Sequence, residues 1–128
     1  MIHPTTLSIP PLLILHHTTV PPSFLVKPEN AHANVGSPFT FKCSVYGIPP
    51  PDVKWLKDGE YIDTTSEIMP FRLVNGQNLQ VSSLIEEDDG TYQCVASNTV
   101  EGVKETIQGS AELIVLAKGR GLEDGTLD

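Results

Sequence analysis

Apolar and polar side chains alternate along several short stretches of the chain. From Phe39 to Val45 every second residue is apolar, and Thr, Lys and Ser lie between them. Because neighbouring side chains of a strand point to opposite faces, this pattern predicts a strand with one buried and one solvated face. Further strands are predicted near residues 23–27, 31–35, 53–55, 68–74, 78–83, 92–96 and 111–115. No stretch has a long helical period, so the pattern predicts an all-β domain.

Turn-forming residues lie between the predicted strands. The segment Gly47–Asp52 contains three prolines, which cannot donate main-chain hydrogen bonds to a sheet and therefore separate two strands. Asp58-Gly59 and Asn75-Gly76 favour tight hairpin turns. The chain has no internal repeat, so these signals indicate one domain.

Two cysteines, a tryptophan and a tyrosine stand at informative spacings. Trp55 follows Cys43 by twelve residues, and Tyr92 stands two residues before Cys94. The wider pattern consists of Pro22, the Phe24 region, Gly36, Gly47-x-Pro49-x-Pro51 ahead of Val53, Lys57-Asp58-Gly59, Asp88 to Cys94, Ala96, Asn98, Leu113 and Val115. On these residues the chain resembles an I-set immunoglobulin domain over residues 22–116. The resemblance implies an immunoglobulin-like two-sheet Greek-key sandwich.

The resemblance also implies roles for the marker residues. It implies a disulfide between Cys43 and Cys94, with Trp55 packed against it and Tyr92 bonded back to nearby main chain. Leu79 is expected in the same core. Similar domains of muscle and cytoskeletal proteins keep such cysteines reduced, so the pair marks the fold before it marks the compartment.

The sequence gives little support for catalysis or metal binding. The carboxylates of Glu86–Asp89 lie in a predicted turn, where the resemblance implies that one Asp is structural and pairs with Arg72. Neither a nucleophile-elbow serine nor a glycine-rich phosphate loop is present. The histidines lie outside the predicted core or at its margin, which disfavours a metal site: His3, His16, His17 and His32. We therefore expect a non-enzymatic domain with no catalytic residue, no metal and no cofactor.

Charge and the two flanks restrict the partners further. The formal net charge is −8, most of it within residues 22–116, so the surface repels nucleic-acid phosphates. Residues 1–21 and 117–128 are expected to be flexible flanks, because neither holds enough apolar surface to order alone. The apolar run 12–15 is far shorter than the ~20 residues that cross a bilayer, and no Lys or Arg precedes it. We expect neither membrane insertion nor a secretory leader there.

Two segments are candidate recognition surfaces. Between Asn98 and the last predicted strand the chain is about four residues longer than the I-set pattern, and loops on rigid sandwiches often carry binding residues. The alternative is an extended hairpin whose apolar side packs on the sheet. The proline-rich segment 48–51 is the second candidate, and its alternative role is to orient the following strand. The candidate contacts are Val100, Val103, Ile107, Ile48 and Pro50.

The resemblance implies protein recognition in one of two settings. Residues 22–59 are similar to I-set domains of Roundabout and neogenin-like receptors, which implies a cell-surface or secreted adhesion or guidance protein. Similar domains of titin, palladin and myosin light chain kinase imply the alternative, a cytoplasmic spacer or docking module on the cytoskeleton or sarcomere. The expected partner is another protein: a ligand, a neighbouring immunoglobulin domain or a filament.

Overall fold

A computed structural model describes residues 18–117 of the chain. Within this part, Glu86–Asp88 form a 3₁₀ turn. The strands are β1 Val20–Val26, β2 Ala31–Asn34, β3 Phe39–Phe41, β4 Ser44–Ile48, β5 Asp52–Lys57, β6 Glu60–Tyr61, β7 Phe71–Val74, β8 Asn78–Val81, β9 Gly90–Val100 and β10 Val103–Leu116.

The strands form two layers. One layer is a five-stranded sheet in the order β2-β10-β9-β5-β6, in which β2 runs parallel to β10 and the other neighbours are antiparallel. The other layer contains β3-β8-β7 and the pair β1-β4. This arrangement confirms the predicted all-β, immunoglobulin-like sandwich.

The core lies between the layers and is centred on a disulfide. Cys43 and Cys94 are bonded across the layers, 51 residues apart in sequence, and the loop-entropy model gives a stabilisation of ~4 kcal/mol for a cross-link of this span. Trp55 is 1% exposed, and Tyr92 and Leu79 are fully buried. These side chains belong to the cluster of buried hydrophobic residues between the layers.

The Tyr92 hydroxyl fixes the turn that precedes β9. It donates a hydrogen bond to the carbonyl oxygen of Asp88 at 2.5 Å. Burial, followed by the nearby carboxylates of Asp88, Asp58 and Asp89, raises the pKa of Tyr92 above its ordinary value, so the hydroxyl keeps its proton. The Asp88 carboxylate in turn accepts the main-chain N–H of Ile85 at 2.9 Å.

The expected pairing of Arg72 with an aspartate of this turn is wrong. The Arg72 guanidinium instead donates to the carbonyl oxygens of Ser66 and Met69, at 2.7 and 2.8 Å. Asp88 finds its partner inside its own turn, and the segment before β7 brings several carbonyl groups within reach of the arginine. Arg72 therefore organises the connection between β6 and β7.

The strand predicted from Phe39 to Val45 is interrupted between β3 and β4. The ladder between β3 and β8 ends at Phe41 and Leu79, and beyond it two side chains at and just before the start of β8 replace main-chain carbonyls as acceptors. The N–H of Cys43 donates to Asn78 Oδ1 at 3.0 Å, and the N–H of Val45 donates to Gln77 Oε1 at 3.1 Å. The Gln77 carbonyl also accepts the buried indole N–H of Trp55 at 2.8 Å. Residues between β7 and the start of β8 thus supply the hydrogen-bond acceptors that the chain around the break between β3 and β4 lacks.

The first strand starts earlier than predicted. Val20 pairs with Ile48, so β1 begins two residues inside the segment 1–21 that was expected to be flexible flank. The last strand ends at Leu116. Apart from residues 18–21 and Ala117, both predicted flanks lie outside the described residues.

Candidate recognition site

The β9–β10 hairpin extends past the neighbouring strand. The pairing of β5 with β9 ends at Asp52 and Ser97, whereas the β9–β10 ladder continues to Val100 and Val103. Its tip is the two-residue turn Glu101-Gly102, with φ angles of 51° and 82°. Tight hairpins require such left-handed conformations, which glycine adopts without strain. The segment that was predicted to be about four residues longer than the I-set pattern is therefore an extended regular hairpin.

The three candidate contacts of this hairpin differ in exposure. Val103 is 57% exposed, Val100 is half-buried, and Ile107 packs in part against the core. Ile107 thus holds the hairpin on the sheet, as the packed-hairpin alternative requires. Val100 and Val103 pair directly across the ladder near the tip, where a partner can reach them.

The proline-rich segment lies at the same end of the sandwich. Ile48 is half-buried in β4, Pro50 is exposed, and the bond between Ile48 and Pro49 is cis. Asn98 joins this segment to the hairpin, because its Nδ2 donates to the carbonyl oxygens of Val20 at 2.8 Å and Pro49 at 2.9 Å. The structure therefore brings both candidate segments together. We call the surface formed by Val100, Val103, Ile48 and Pro50 the hairpin end.

Gly47 allows this close approach. A Cβ at that position would lie 2.9 Å from Asn98 Nδ2, 2.9 Å from Pro51 Cγ and 3.1 Å from the carbonyl oxygen of Val20. No side chain fits there without displacing its neighbours. Glycine is therefore required at this position because β1, β4 and β9 approach one another too closely there for a side chain.

In the sequence analysis Asn98 was part of the I-set pattern, but no role was predicted for it. A signal was present, since Tyr92, Cys94 and Ala96 mark the inward positions of β9 and Asn98 continues that series. Asn98 is 8% exposed, and buried polar groups need hydrogen-bond partners. Its two acceptors lie far away in sequence, so only the fold identifies them.

The hairpin end carries exposed charged side chains beside its apolar residues. Its exposed charges have both signs, with Lys104 facing solvent as do Glu101 and Glu105. In residues 18–117, no group of three or more His, Cys, Asp or Glu side chains is placed to hold a metal ion. No helix of the described part is long and apolar enough to span a membrane.

Comparison with known proteins shows what this chain is similar to. A family model described as an immunoglobulin domain matches residues 21–98. Neogenin from Mus musculus is 40% identical over 97 residues, which covers 76% of this chain and 6% of that protein. The netrin receptor DCC from Homo sapiens is 38% identical over 96 residues, which covers 75% of this chain and 6% of the receptor. The chain thus spans only a small part of the length of these relatives.

A solved structure of a titin complex has the same fold. The complex contains titin M10 and an immunoglobulin domain of obscurin-like 1. The match has a TM-score of 0.66 and 30% sequence identity, and it covers 77% of this chain and 96% of the matched chain.

Proposed function

The chain belongs to the immunoglobulin-domain family, and from this premise we propose that it is a non-catalytic protein-recognition module of a cell-surface or secreted adhesion or guidance protein. The observation that carries the proposal is the hairpin end, in which Asn98 ties the projecting hairpin to the proline-rich segment. The similarity to neogenin and to a netrin receptor supports the extracellular setting. The recognition unit is proposed to be residues 22–116 together with Val20 and Pro21.

The geometry of the hairpin end favours binding because its main chain is already ordered before a partner binds. A continuous main-chain ladder holds the hairpin, and Asn98 holds the proline segment against it. Preorganised surfaces lose less conformational entropy on association. The proposed contacts are Val100, Val103, Ile48 and Pro50, and Ile107 supports them by packing the hairpin on the sheet.

The redox state of the native protein tests the compartment. The mass of the protein from its own cells is measured without reduction, before and after thiol alkylation. An intact Cys43–Cys94 bridge is expected and indicates an oxidising compartment. Two alkylatable thiols contradict the extracellular setting and favour the cytoplasmic alternative.

Shortening the hairpin tests the contact surface. Deletion of the two cross-strand pairs Thr99–Lys104 and Val100–Val103 keeps the Glu101-Gly102 turn and leaves the register of the remaining ladder intact. Binding of netrin and of a second copy of the domain is measured by surface plasmon resonance. Binding that is lost in the shortened variant supports the proposal. Unchanged binding removes the hairpin from the contact surface, and no binding to either probe speaks against an adhesion or guidance role.

A cytoskeletal docking module is the second candidate function. The match to titin M10 in complex with obscurin-like 1 favours it, because there the same fold assembles with another protein. Co-sedimentation with actin or myosin filaments at micromolar concentration, together with free thiols in the native protein, is the expected result for this alternative. Absence of co-sedimentation argues against it.

A further inference from the structure

A second apolar surface lies on the side of the sandwich, between β6 and β7. Tyr61 is 69% exposed, Ile68 is 91% exposed and Met69 is 42% exposed. Tyr61 and Met69 line the same surface hollow of about 490 Å³, and Ile68 is adjacent to Met69 in the chain. Tyr61 and Met69 thus form an exposed apolar cluster, which is typical of contact surfaces, and Ile68 is the exposed apolar residue next to it in the chain.

The segment that presents Ile68 is fixed by hydrogen bonds although it forms no strand. On one side, Asp63 Oδ1 accepts the N–H of Thr65 at 2.9 Å and that of Ser66 at 3.2 Å. The N–H of Ile68 itself donates to Ser66 Oγ at 3.1 Å. The main chain around the exposed isoleucine is therefore held in place before any partner arrives.

Arg72 holds the same segment from the other side. Its guanidinium donates to the carbonyl oxygens of Ser66 at 2.7 Å, Met69 at 2.8 Å and Glu67 at 3.3 Å. Ile68 thus lies between anchored residues, so a partner that contacts it has little chain entropy to remove.

Carboxylates surround this apolar surface. Asp58, Glu60 and Asp63 line the hollow with Tyr61. Among the described residues that line it, Lys57 is the one cation, and it is paired with Asp58 at 3.0 Å. Hydrogen bonds from the N–H groups of Thr91 and Thr65 hold the pKa values of Asp58 and Asp63 below their ordinary range. The residues that line the hollow therefore carry a net negative charge at neutral pH, and a positively charged partner complements it.

We propose that this β6–β7 surface, formed by Tyr61, Ile68 and Met69 with Asp58, Glu60 and Asp63, docks a protein segment in which an apolar side chain is flanked by Lys or Arg. The apolar side chain enters the hollow beside Tyr61 and Met69, and the basic groups meet the surrounding carboxylates. The inference rests on the proposed recognition function and adds a contact surface distinct from the hairpin end.

Selection from a random peptide display library on the whole chain tests the proposal, and the enriched peptides are then titrated in solution. We expect peptides that combine apolar with basic residues. Ile68→Asn and Glu60→Lys should each weaken their binding by about tenfold or more. The matched controls are Ile114→Asn and Glu112→Lys, which change exposed side chains on β10 and should leave the affinity unchanged. All four variants should keep the urea midpoint of the parent protein, since the altered side chains are exposed.

The other outcomes separate this surface from the general function. Enriched peptides that are acidic, or that bind Ile68→Asn as well as the parent, overturn the proposal, as does a selection without enrichment. If the peptides lose affinity only when the hairpin is shortened, the recognition function stands but its contact surface is the hairpin end, and the proposal for the β6–β7 surface is wrong. Sedimentation equilibrium tests whether a second copy of the chain occupies this surface. If the parent protein dimerises and Ile68→Asn abolishes the dimer, the proposal of a basic partner segment is wrong.

Discussion

The hairpin end and the β6–β7 surface are both preorganised, but different interactions hold them. In the hairpin, main-chain hydrogen bonds join β9 to β10 from Gly90–Leu113 to Val100–Val103. In the segment 62–70, the side chains of Asp63 and Arg72 bind main-chain groups that have no strand partner. A main-chain ladder tolerates most side-chain changes, whereas a segment held by two side chains depends on those residues. The two surfaces should therefore respond differently to substitution.

Loss of the shared core should disrupt both surfaces at once. Trp55→Ala removes a buried aromatic side chain and the donor to Gln77, and we expect it to cost ~3–5 kcal/mol of unfolding free energy. Urea unfolding followed by far-ultraviolet circular dichroism measures the loss. A cooperative transition with only a slight change in midpoint would show that the core assignment is wrong.

Loss of Asn98 should affect the hairpin end and spare the β6–β7 surface. Asn98→Ala leaves the carbonyl groups of Val20 and Pro49 without their part-buried donor, at a cost of ~1–3 kcal/mol. Hydrogen exchange should become faster in 98–105 and at the amides of Gly47 and Ile48, with no change in 65–69. Thr99→Ala, an exposed position next in the chain, is the control. Equal acceleration in both regions would contradict an independent response of the two surfaces.

Loss of Arg72 should affect the β6–β7 surface and spare the hairpin end. Arg72→Met keeps the apolar stem but removes the donors to Ser66 and Met69, and we expect a cost of ~1 kcal/mol because water can replace part of these bonds. Limited proteolysis should cleave the segment 66–69 faster while the hairpin stays protected. Arg72→Lys retains the charge without the planar fork and should fall between the parent and Arg72→Met. A cleavage pattern unchanged by both variants would show that Arg72 does not fix this segment.

Acid should loosen the β6–β7 surface before the hairpin end, and this is the smallest expected effect. The folded-state pKa values of Asp58 and Asp63 lie below the ordinary value of 3.8. Their contribution to stability is therefore present above that pH and is lost as the pH falls through the folded values. Amide chemical shifts of Thr65 and Thr91, followed between neutral and strongly acidic pH, measure it. Asp63→Asn should abolish the pH response at Thr65, and Glu112→Gln should leave it unchanged.

The sequence predicted those parts of the molecule that follow from periodicity and turn residues. Alternation located the strands, and the immunoglobulin resemblance supplied their assembly into a sandwich. The break between β3 and β4 was not predictable, because Gln77 and Asn78 reach Cys43 and Val45 from a distant turn. Arg72 was assigned to the wrong partner because sequence gives charges but no distances. The β6–β7 surface was missed for the same reason: a strand was predicted near 68–74, but β7 begins only at Phe71, and the residues before it are held by the side chains of Asp63 and Arg72.

The turn that completes the interrupted strand also has an evolutionary consequence. Gln77 and Asn78 follow an Asn-Gly turn and read as ordinary polar surface residues, which usually vary freely. Here their side-chain oxygens are the acceptors for the amides of Cys43 and Val45. We expect descendants of this sequence to exchange Gln77 only with Glu and Asn78 only with Asp, because these replacements alone keep an oxygen at the same reach. Insertions in the turn should be selected against, although turns between strands usually accept them.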